Sequence, residues 1–246
     1  MNIKISIITV TFNAETTLKI TLDSVRKQSY KNYELIIIDG NSRDNTKSII
    51  EDNKDIINYY ISEKDNGIYD AMNKGIVAAT GDFCVFLNAG DAFASPDILK
   101  MVNFEICQFP YNDIYIGYAE YVNGSTYSVH KPNFKKLPYA FCHKAIFFRL
   151  SMLKNNLYDI SYKLSGDSEL LYRLLEKKFS YVFMDIKVVL EEAGAGATES
   201  NLLLSSKELY SIPYLVSHTN VVYRYYRMLK IHTYLMLKKI IKLIYG

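Results

Sequence analysis

Four runs of apolar residues in the first ninety positions each end in a cluster of polar residues and glycines. The clusters consist of Thr9, Thr11 and Asn13; Asp39, Gly40, Asn41 and Ser42; Glu63, Lys64, Asp65, Asn66 and Gly67; and Asn88 and Asp91. Carboxylates and amides can hold a cation, accept hydrogen bonds from a heterocyclic base or take up a proton. One such cluster alone is typical of an ordinary turn. Four clusters that meet at one place would form a binding site.

The segments around these clusters alternate between strand and helix patterns. Apolar runs predict strands over residues 5–10, 33–39, 57–62 and 82–87, and helical spacing predicts helices over about 16–28, after Asp44, over 68–79 and after Ser95-Pro96. Such alternation is typical of a parallel sheet that is covered by helices. Because ligands of these sheets bind beyond the carboxyl ends of the strands, the four polar clusters should share one edge.

The second half predicts a different arrangement. Strand patterns cover 114–121 and 125–131 around a hairpin turn at Asn123-Gly124, and further strands cover 145–150 and 181–190. A helix is predicted over 165–178, and helical patterns continue from about residue 200 to Tyr245 with an interruption near Pro213. The predicted fold is an α/β domain over residues 1–200 with a mostly parallel sheet, followed by a C-terminal helical segment over 201–246.

Composition and motifs exclude several classes of protein. The 246 residues carry a net charge of +3, which is too small to indicate a nucleic-acid partner. The chain has no G-x-G-x-x-G after the first strand, no G-x-x-x-x-G-K-[ST], no G-x-S-x-G and no H-E-x-x-H, and its four histidines are too dispersed for a zinc site. Three scattered cysteines predict reduced thiols in a cytoplasmic protein. No apolar run approaches the roughly 20 residues of a membrane span.

The end of the chain is basic and amphipathic. No acidic residue follows Glu208, whereas arginines and lysines alternate with apolar residues from Val221 onward. This pattern predicts a helix on an anionic membrane surface, which for a cytoplasmic protein is the inner face of the plasma membrane. A helix that packs on the domain or forms a homodimer has the same pattern, so both interpretations stay open.

Five segments together resemble one enzyme family. They read TVTFNAE, IIIDGNSRDNT, SEKDNGIYDAMNKGIVAATGDFCVFLNAGD, CHKAIFF and SGDSELLYRL, in this order. Their order and spacing resemble the family 2 glycosyltransferases of the GT-A fold, and most of all the bacterial branch that builds surface polysaccharides. The resemblance covers residues 3 to about 200. It implies an inverting transfer of a sugar from a nucleotide-sugar donor to a hydroxyl of a saccharide acceptor, which is usually carried on a lipid.

The resemblance also implies which residues bind the sugar donor. By their positions in the motifs, these are Thr9, Thr11, Phe12, Asn13, Glu15, Asp39, Ser42, Lys64, Asn66, Gly67, Asn73, Asn88 and His143. Asp39 would accept a hydrogen bond from an N–H of the base, and Gly67 would allow a close approach of the backbone. Lys74 fits either the site or a solvated helix face. The pocket residues are compatible with uridine, guanosine or deoxythymidine.

Asp91 takes the metal-ligand position of the resembled family. A Mn²⁺ or Mg²⁺ ion there would neutralise charge on the departing nucleoside diphosphate. The family normally has an Asp-rich D-x-D type sequence, whereas this chain has Asn88 in the first place. Since one carboxylate, diphosphate oxygens and water can complete an oxygen site, Asp91 is the predicted metal ligand and Asn88 a weaker partner.

Asp167 is the predicted general base. It stands at the start of the helix in SGDSELLYRL, where the resemblance implies the residue that takes the proton of the acceptor hydroxyl. Glu169 is the reserve, and a carboxylate that merely caps the helix is the structural alternative. Gly194 and Gly196 would hinge a loop on the acceptor side.

Two other functions stay open. A nucleotidyltransferase would carry a glycine-rich, basic loop after the first strand, and TFNAETT is not such a loop. A catalytically degenerate binding or scaffold protein is favoured by Asn88 in the metal motif. The presence of both Asp91 and Asp167 opposes that second alternative.

Overall fold

The structure, a computed structural model, describes residues 2–123, 126–130, 141–192, 201–231 and 233. Its strands are β1 (Ile5–Thr11), β2 (Tyr33–Asp39), β3 (Tyr59–Ser62), β4 (Phe83–Phe86), β5 (Ala92–Phe93), β6 (Ile114–Asn123), β7 (Thr126–His130), β8 (Ile146–Arg149) and β9 (Tyr181–Glu192). Its helices are α1 (Leu18–Arg26), α2 (Thr46–Asp52), α3 (Ile68–Ala78), α4 (Ile98–Gln108), α5 (Leu150–Lys154), α6 (Gly166–Glu176), α7 (Leu202–Ser211) and α8 (Pro213–His218). A 3-10 turn over His143–Ala145, which we call the central turn, precedes β8, and residues 221–231 form a terminal helix.

The strands form one mixed sheet in the order β3-β2-β1-β4-β8-β6-β9-β5, with β7 beside β6. β1 is parallel to β2 and β4, and β2 is parallel to β3, which confirms the parallel half predicted from the sequence. β8 runs antiparallel to β4 and β6, so the strand direction reverses there. β6 and β7 pair antiparallel, which confirms the predicted hairpin pairing, and β9 is parallel to β6. The fold is α/β with a mostly parallel sheet flanked by helices.

Helices cover both faces of the parallel strands, which explains why these strands are apolar without alternation. Ile5 and Ile7 of β1 face a cluster that includes residues of α1 and α4. Ile8 and Val10 face the opposite way, into a cluster with residues of α3, α5 and α6. Both clusters are almost completely buried. The loops at the carboxyl ends of these strands therefore start from a rigid base.

Several boundaries differ from the sequence prediction. α4 begins at Ile98 instead of directly after Ser95, because the carbonyl oxygens of Ser95 and Pro96 accept hydrogen bonds from the Gln28 side chain and the Ser29 N–H, both at 2.8 Å. These bonds hold the chain in a turn before the helix. The short elements α5 and β5 were not predicted, since five and two residues are too few to show a period.

The C-terminal segment packs on the domain through α7 and α8. Ile212 and Leu215 are buried against Tyr172 of α6, and the rings of Tyr172 and Tyr214 stack with centroids 5.4 Å apart. The boundary predicted at residue 200 lies outside the described residues. Where the structure describes the chain, it contains no helix that is long and apolar enough to cross a membrane.

Candidate active site

The carboxyl ends of β1, β2, β3 and β4 meet at one edge of the sheet, as predicted. In the strand register Thr11 lies opposite Asp39, and Asp39 lies opposite Ser62. On the other side of β1, the N–H of Ala89 donates to the carbonyl oxygen of Val10 at 3.3 Å. The four polar clusters therefore share the edge at which open α/β sheets bind ligands.

Asp39 ties three of these loops together. Its buried carboxylate accepts hydrogen bonds from the Ser42 N–H at 3.0 Å, from the Ser42 hydroxyl, and from the Ser62 hydroxyl at 2.5 Å. The Ser42 oxygen accepts in turn from the backbone N–H of Asn13 at 2.8 Å. The contacts of Asp39 in the structure are thus internal, and its hydrogen bond to a base N–H stays a prediction.

Asn13 and Glu15 lock the loop after β1 onto the loop after β2. Asn13 has a left-handed backbone, with a φ of 48°, and its side-chain oxygen accepts from the Arg43 N–H at 2.9 Å. The Glu15 carboxylate accepts from the Asn45 N–H at 2.9 Å, and Asp44 accepts from the Glu15 N–H at 3.1 Å. Both residues therefore shape the edge, and their contacts with a sugar donor stay predictions.

Phe12 presents an aromatic ring at this edge. The residue is 61% exposed and lies beside Gly40. A Cβ built on Gly40 would lie 3.2 Å from the ring and 2.6 Å from Oδ2 of Asp65, so a larger residue there would have to displace the Asp65 carboxylate. An exposed ring beside a carboxylate offers a planar base both stacking and hydrogen bonding. Asp65 was not among the predicted binding residues, although it stands within the EKDNG segment.

Lys74 holds the loop between β3 and α3. Its ammonium lies 2.7 Å from the Glu63 carboxylate and donates to the carbonyl oxygen of Lys64 at 3.3 Å, so it is not a solvated charge. Gly67 precedes α3 with a φ of 116°, and nothing lies within 4 Å of a Cβ built on it. Its backbone conformation, rather than a close neighbour in the chain, accounts for the glycine.

Asn66 and Asn73 have different surroundings. Asn66 is exposed, and its backbone N–H donates to the Asp70 carboxylate at 2.9 Å. The Asn73 side chain donates to the carbonyl oxygen of Tyr158 and accepts from the Tyr158 N–H, both at 2.9 Å. Asn73 thus tethers α3 to the segment before α6. Lys64 and Asn66 are the residues of this group that face solvent.

The FLNAGD turn after β4 is held by β1 and α1. The buried hydroxyl of Thr9 donates to the Leu87 carbonyl oxygen at 2.8 Å. The Thr21 hydroxyl lies 3.0 Å from the carbonyl oxygen of Asn88 and 2.7 Å from that of Asp91. Within the turn, the Asn88 N–H donates to the Asp91 carboxylate at 3.1 Å. Thr21 is therefore a positioning residue that no motif in the sequence indicated.

Asp91 forms an ion pair that was not predicted from the sequence. The ammonium of Lys144, in the central turn, lies 2.7 Å from Oδ1 of Asp91, and only 14% and 10% of the two side chains are exposed. Lys144 stands in the CHKAIFF segment, from which only His143 had been selected. A positive charge is therefore built into the position at which the resemblance implies a metal ion.

A resident divalent cation fits this arrangement poorly. Oδ1 of Asp91 already accepts from Lys144, and Oδ2 accepts from the Asn88 N–H. A divalent ion 4 Å from an ammonium is repelled by roughly 8 kcal/mol at an effective dielectric constant of about 20, so it would have to displace Lys144. Oδ1 of Asn88 is buried without a partner and would suit a cation. The described part of the chain holds no group of three His, Cys, Asp or Glu side chains that could bind a metal ion.

Asp167 lies in the first turn of α6 and contacts two other elements. Its Oδ2 lies 3.3 Å from Nδ1 of His143, and its Oδ1 accepts from the Tyr69 hydroxyl at 3.4 Å. Burial raises the pKa of Asp167, but the hydrogen bond and charge of His143, together with backbone N–H groups at Ser168 and Asp167, hold this pKa below its ordinary value. Asp167 is therefore a carboxylate at neutral pH, as a general base must be.

Glu169, the reserve base, is engaged elsewhere. Its two oxygens accept from Nε and Nη2 of Arg173 at 2.7 and 3.1 Å, which forms a paired contact along α6. This contact gives Glu169 a structural role and leaves Asp167 as the candidate base. The proposed hinge residues Gly194 and Gly196 lie outside the described residues.

Three buried side-chain atoms among the described residues have no hydrogen-bond partner. They are Oγ1 of Thr11, Oδ1 of Asn88 and Nε2 of His143. Buried polar groups are normally satisfied, so an unsatisfied group calls for an explanation. All three residues were predicted to bind the sugar donor, and all three lie at the carboxyl edge or on the central turn. A ligand bound at this edge would be one source of partners for these three atoms.

The central turn joins the two halves of the site. His143 contacts Asp167, and the next residue, Lys144, contacts Asp91. One short turn therefore contacts both the base candidate, through His143, and the predicted metal ligand, through Lys144. A carboxylate that takes a proton beside a cation that meets a leaving anion is an arrangement suited to group transfer from a diphosphate.

Comparison with known proteins identifies the class of this fold. S. aureus TarS 1-349, solved in complex with UDP-GlcNAc, is similar with a TM-score of 0.70 and 20% identity over 85% of this chain and 64% of that chain. A mannosyltransferase from Pyrobaculum calidifontis, solved in complex with GDP-Man and Mn²⁺, is similar with a TM-score of 0.67 and 14% identity over 88% and 64%. The chain has the GT-A fold of glycosyltransferases.

The model of the family described as glycosyl transferase family 2 matches residues 6–165, which is more than half of the chain. The chain belongs to this family. The matched region ends two residues before Asp167, so the family model does not cover that residue and its role as the base stays a prediction.

Two curated relatives show the range of the family. A PGL/p-HBAD biosynthesis glycosyltransferase of Mycobacterium bovis is 30% identical over 66% of this chain. This chain spans 66% of that relative's length, just under two thirds. The Escherichia coli UDP-Glc:alpha-D-GlcNAc-diphosphoundecaprenol beta-1,3-glucosyltransferase WfgD is 32% identical over 48% of this chain and 45% of its own length. The chain is thus similar to bacterial glycosyltransferases, one of PGL/p-HBAD biosynthesis and one that is a glucosyltransferase.

Proposed function

We propose that this chain is an inverting glycosyltransferase that moves a sugar from a nucleotide-sugar donor to a hydroxyl of a lipid-linked saccharide. The three unpartnered buried atoms of Thr11, Asn88 and His143 carry this proposal, because they mark one edge as a place prepared for a polar ligand. Similar proteins bind UDP-GlcNAc or GDP-Man. The lipid-linked acceptor named for WfgD supports the acceptor class.

The nucleoside binds at the Phe12 side of the edge in this proposal. The exposed ring stacks on the base, and Asp65 or Asp39 accepts from a base N–H. Lys64 and Asn66, which face solvent on the loop after β3, reach the ribose and phosphates. Uridine, guanosine and deoxythymidine all carry the N–H that this recognition needs.

The chemical step uses Asp167. The acceptor oxygen forms a bond to the anomeric carbon, the bond between that carbon and the diphosphate oxygen breaks, and Asp167 takes the hydroxyl proton. His143 holds the carboxylate in its ionised form. The departing nucleoside diphosphate needs a positive partner, and a divalent ion on Asp91 and Asn88 is the partner that the resemblance implies. Lys144 would have to leave Asp91 for such an ion to bind.

Measuring release of nucleoside diphosphate tests the assignment of the base. UDP-, GDP- and dTDP-sugars would be offered with a saccharide diphospholipid acceptor to the wild type, Asp167→Asn and Glu169→Gln. Asp167→Asn should lose about 10²- to 10⁴-fold in turnover and still bind the sugar donor, since only proton acceptance is removed. Glu169→Gln should keep its turnover within a few fold. Equal turnover of all three proteins would refute the role of Asp167.

A non-catalytic binding protein is the second candidate. The ion pair between Lys144 and Asp91 favours it, because it occupies the carboxylate that a metal-dependent enzyme would use. In that case the wild type would bind nucleoside diphosphates without turning over any sugar donor. The same assay therefore distinguishes the two functions.

The terminal helix is the proposed contact with the membrane. Val221, Val222 and Tyr225 are each about two-thirds exposed, and Arg224 and Lys230 stand among them. Exposed apolar and basic side chains on one helix suit an anionic lipid surface, where a lipid-linked acceptor would be found. Residues 232 and 234–246, which continue the pattern, lie outside the described residues. Co-sedimentation with anionic vesicles tests the contact, and a homodimer through this helix is the alternative.

A further inference from the structure

We infer that Lys144 takes the place of a metal ion at the carboxyl end of β4, and that this chain binds the diphosphate of its sugar donor without a divalent cation. The inference rests on the proposed function, because it names the group that meets the diphosphate. It extends that function to Lys144, a residue of the CHKAIFF segment that was not among the predicted site residues.

The geometry of the ion pair is the first support. Lys144 approaches Asp91 at 2.7 Å, and both side chains are almost removed from solvent. Lysine is rarely buried unless it is paired. The ion pair with Asp91 therefore holds the ammonium in one position. An ammonium can donate three hydrogen bonds. The ammonium of Lys144 can therefore donate to phosphate oxygens that arrive beside it as well as to Asp91.

The rigidity of the central turn is the second support. Cys142 and Ala145 on either side are buried, and the Ala145 N–H donates to the Cys142 carbonyl oxygen at 3.0 Å. The turn continues directly into β8, an inner strand of the sheet. Lys144 thus starts from a backbone that is fixed before the ligand binds. A preorganised charge stabilises a developing anion without the cost of rearrangement.

Asn88 is the third support. The metal motif that the resemblance implies has a carboxylate at this place, whereas the amide of Asn88 carries no charge. With Asn88 neutral and Asp91 paired to Lys144, the turn carries little net negative charge to attract a divalent ion. The buried, unpartnered Oδ1 of Asn88 can instead accept a hydrogen bond from a sugar hydroxyl. The neutral amide of Asn88 and the ion pair of Asp91 with Lys144 therefore point to the same conclusion.

Calorimetric binding of UDP, GDP and dTDP to the full chain tests the inference. Each diphosphate would be titrated in EDTA and in Mn²⁺ into the wild type, Lys144→Gln, Lys144→Arg and Lys100→Gln. Lys100, on the exposed side of α4, is the control for loss of one surface charge. The wild type should bind its preferred diphosphate with a Kd that changes less than about threefold between EDTA and Mn²⁺.

Lys144→Gln should weaken binding in EDTA by about 10- to 100-fold, as expected for loss of a charge-assisted hydrogen bond. Mn²⁺ should restore most of the affinity of this variant, because Asp91 is then released for the ion. Lys144→Arg keeps the charge and should stay close to the wild type in EDTA, and Lys100→Gln should match the wild type in both buffers. Equal affinity of Lys144→Gln and the wild type in EDTA would overturn the inference.

A measurement on the wild type alone covers the case in which a variant fails to fold. The resonance of free Mn²⁺ in electron paramagnetic resonance should fall no further with protein and diphosphate than with diphosphate alone. Wild-type protein that binds the diphosphate only with Mn²⁺, and that consumes this signal, would overturn the role of Lys144 and leave the glycosyltransferase proposal intact. Absence of binding to every diphosphate in both buffers would overturn both.

Discussion

Asp167 and Asp91 each meet a basic side chain of the central turn, and the two contacts have different consequences. His143 keeps the pKa of Asp167 low, which makes it a carboxylate over the whole neutral range but also lowers its affinity for a proton. Each unit by which the pKa falls costs a base about 1.4 kcal/mol in proton affinity. The His143 ring therefore positions Asp167 but weakens it as a base. Substrate binding must offset this loss of proton affinity.

Gly166 sets how closely Asp167 approaches Tyr69. A Cβ built on Gly166 would lie 2.8 Å from Cε2 of the Tyr69 ring, and that ring is buried and stacked on Tyr158 with centroids 5.3 Å apart. Gly166→Ala should therefore lower the free energy of unfolding by about 1–3 kcal/mol, the usual effect of overpacking, and should reduce turnover by displacing Asp167.

Urea denaturation and turnover would be measured beside Ser168→Ala, a change on the same turn of α6 at a half-exposed residue. That control should stay within about 0.5 kcal/mol of the wild type. If Gly166→Ala is as stable and as active as the control, the contact with Tyr69 does not position the base.

At the scale of elements, α7 fixes the start of α6. Glu208 of α7 accepts hydrogen bonds from three consecutive backbone N–H groups, those of Lys163 at 2.8 Å, Leu164 at 2.8 Å and Ser165 at 3.0 Å. These groups directly precede the turn that carries Asp167. A helix of the C-terminal segment thus positions a residue of the proposed active site. The segment over 201–246 therefore contributes to the site of the domain over 1–200.

Glu208→Gln should loosen this contact, because an amide has one oxygen in place of two and turns an N–H₂ group towards backbone donors. We expect the free energy of unfolding to fall by about 1–3 kcal/mol. Turnover should fall while the KM for the sugar donor changes little, since the base moves and the nucleoside loops do not. Glu176→Gln, at the exposed end of α6, is the matched control, and identical kinetics of the two variants would contradict the positioning role.

The elements that could be predicted from the sequence are those with a local period. The four parallel strands and the helices between them follow from apolar spacing, and the shared polar edge follows from their direction. Contacts between individual side chains leave no such period in the sequence. Lys144 stands 53 residues from Asp91, and Asn73 stands 85 residues from Tyr158. No spacing rule relates residues so far apart, so the ion pair and the tether emerge only when the chain is folded.

At the scale of the whole molecule, acid should weaken the fold at the amino edge of the sheet. Glu34 is buried there and contacts Lys4, Ser6 and Thr80. Burial raises the pKa of Glu34, but hydrogen bonds from these three residues outweigh burial and lower the pKa to about 2 from an ordinary value of 4.5. Because the folded pKa lies below the unfolded one, the stabilisation is complete above about pH 4.5 and is lost as the pH falls towards 2.

The change Glu34→Gln isolates this contribution. At pH 7 it should lower the free energy of unfolding by up to roughly 3 kcal/mol, and the difference from the wild type should shrink as the pH falls below 4.5. Urea denaturation at a series of pH values measures it, with Glu105→Gln on α4 as the control. A difference from the wild type that stays constant down to pH 2 would show that the Glu34 carboxylate is not the group that titrates.

At the scale of the whole molecule, the proposed membrane contact of the terminal helix can be tested by changing its charges. Its exposed valines and tyrosines supply apolar contact, and Arg224 and Lys230 supply charge, each worth about 1 kcal/mol at an anionic surface. Reversal of both charges to glutamate should therefore weaken binding to vesicles of anionic phospholipid at least 30-fold, and high salt should weaken wild-type binding in the same direction. Co-sedimentation of the full chain measures the effect, with Lys19→Glu and Lys100→Glu as controls on other helices.

Deletion of residues 221–246 should abolish binding. Unchanged co-sedimentation of the charge-reversed and shortened chains would reject the membrane contact, and a loss of dimers on light scattering would assign the helix to self-association instead.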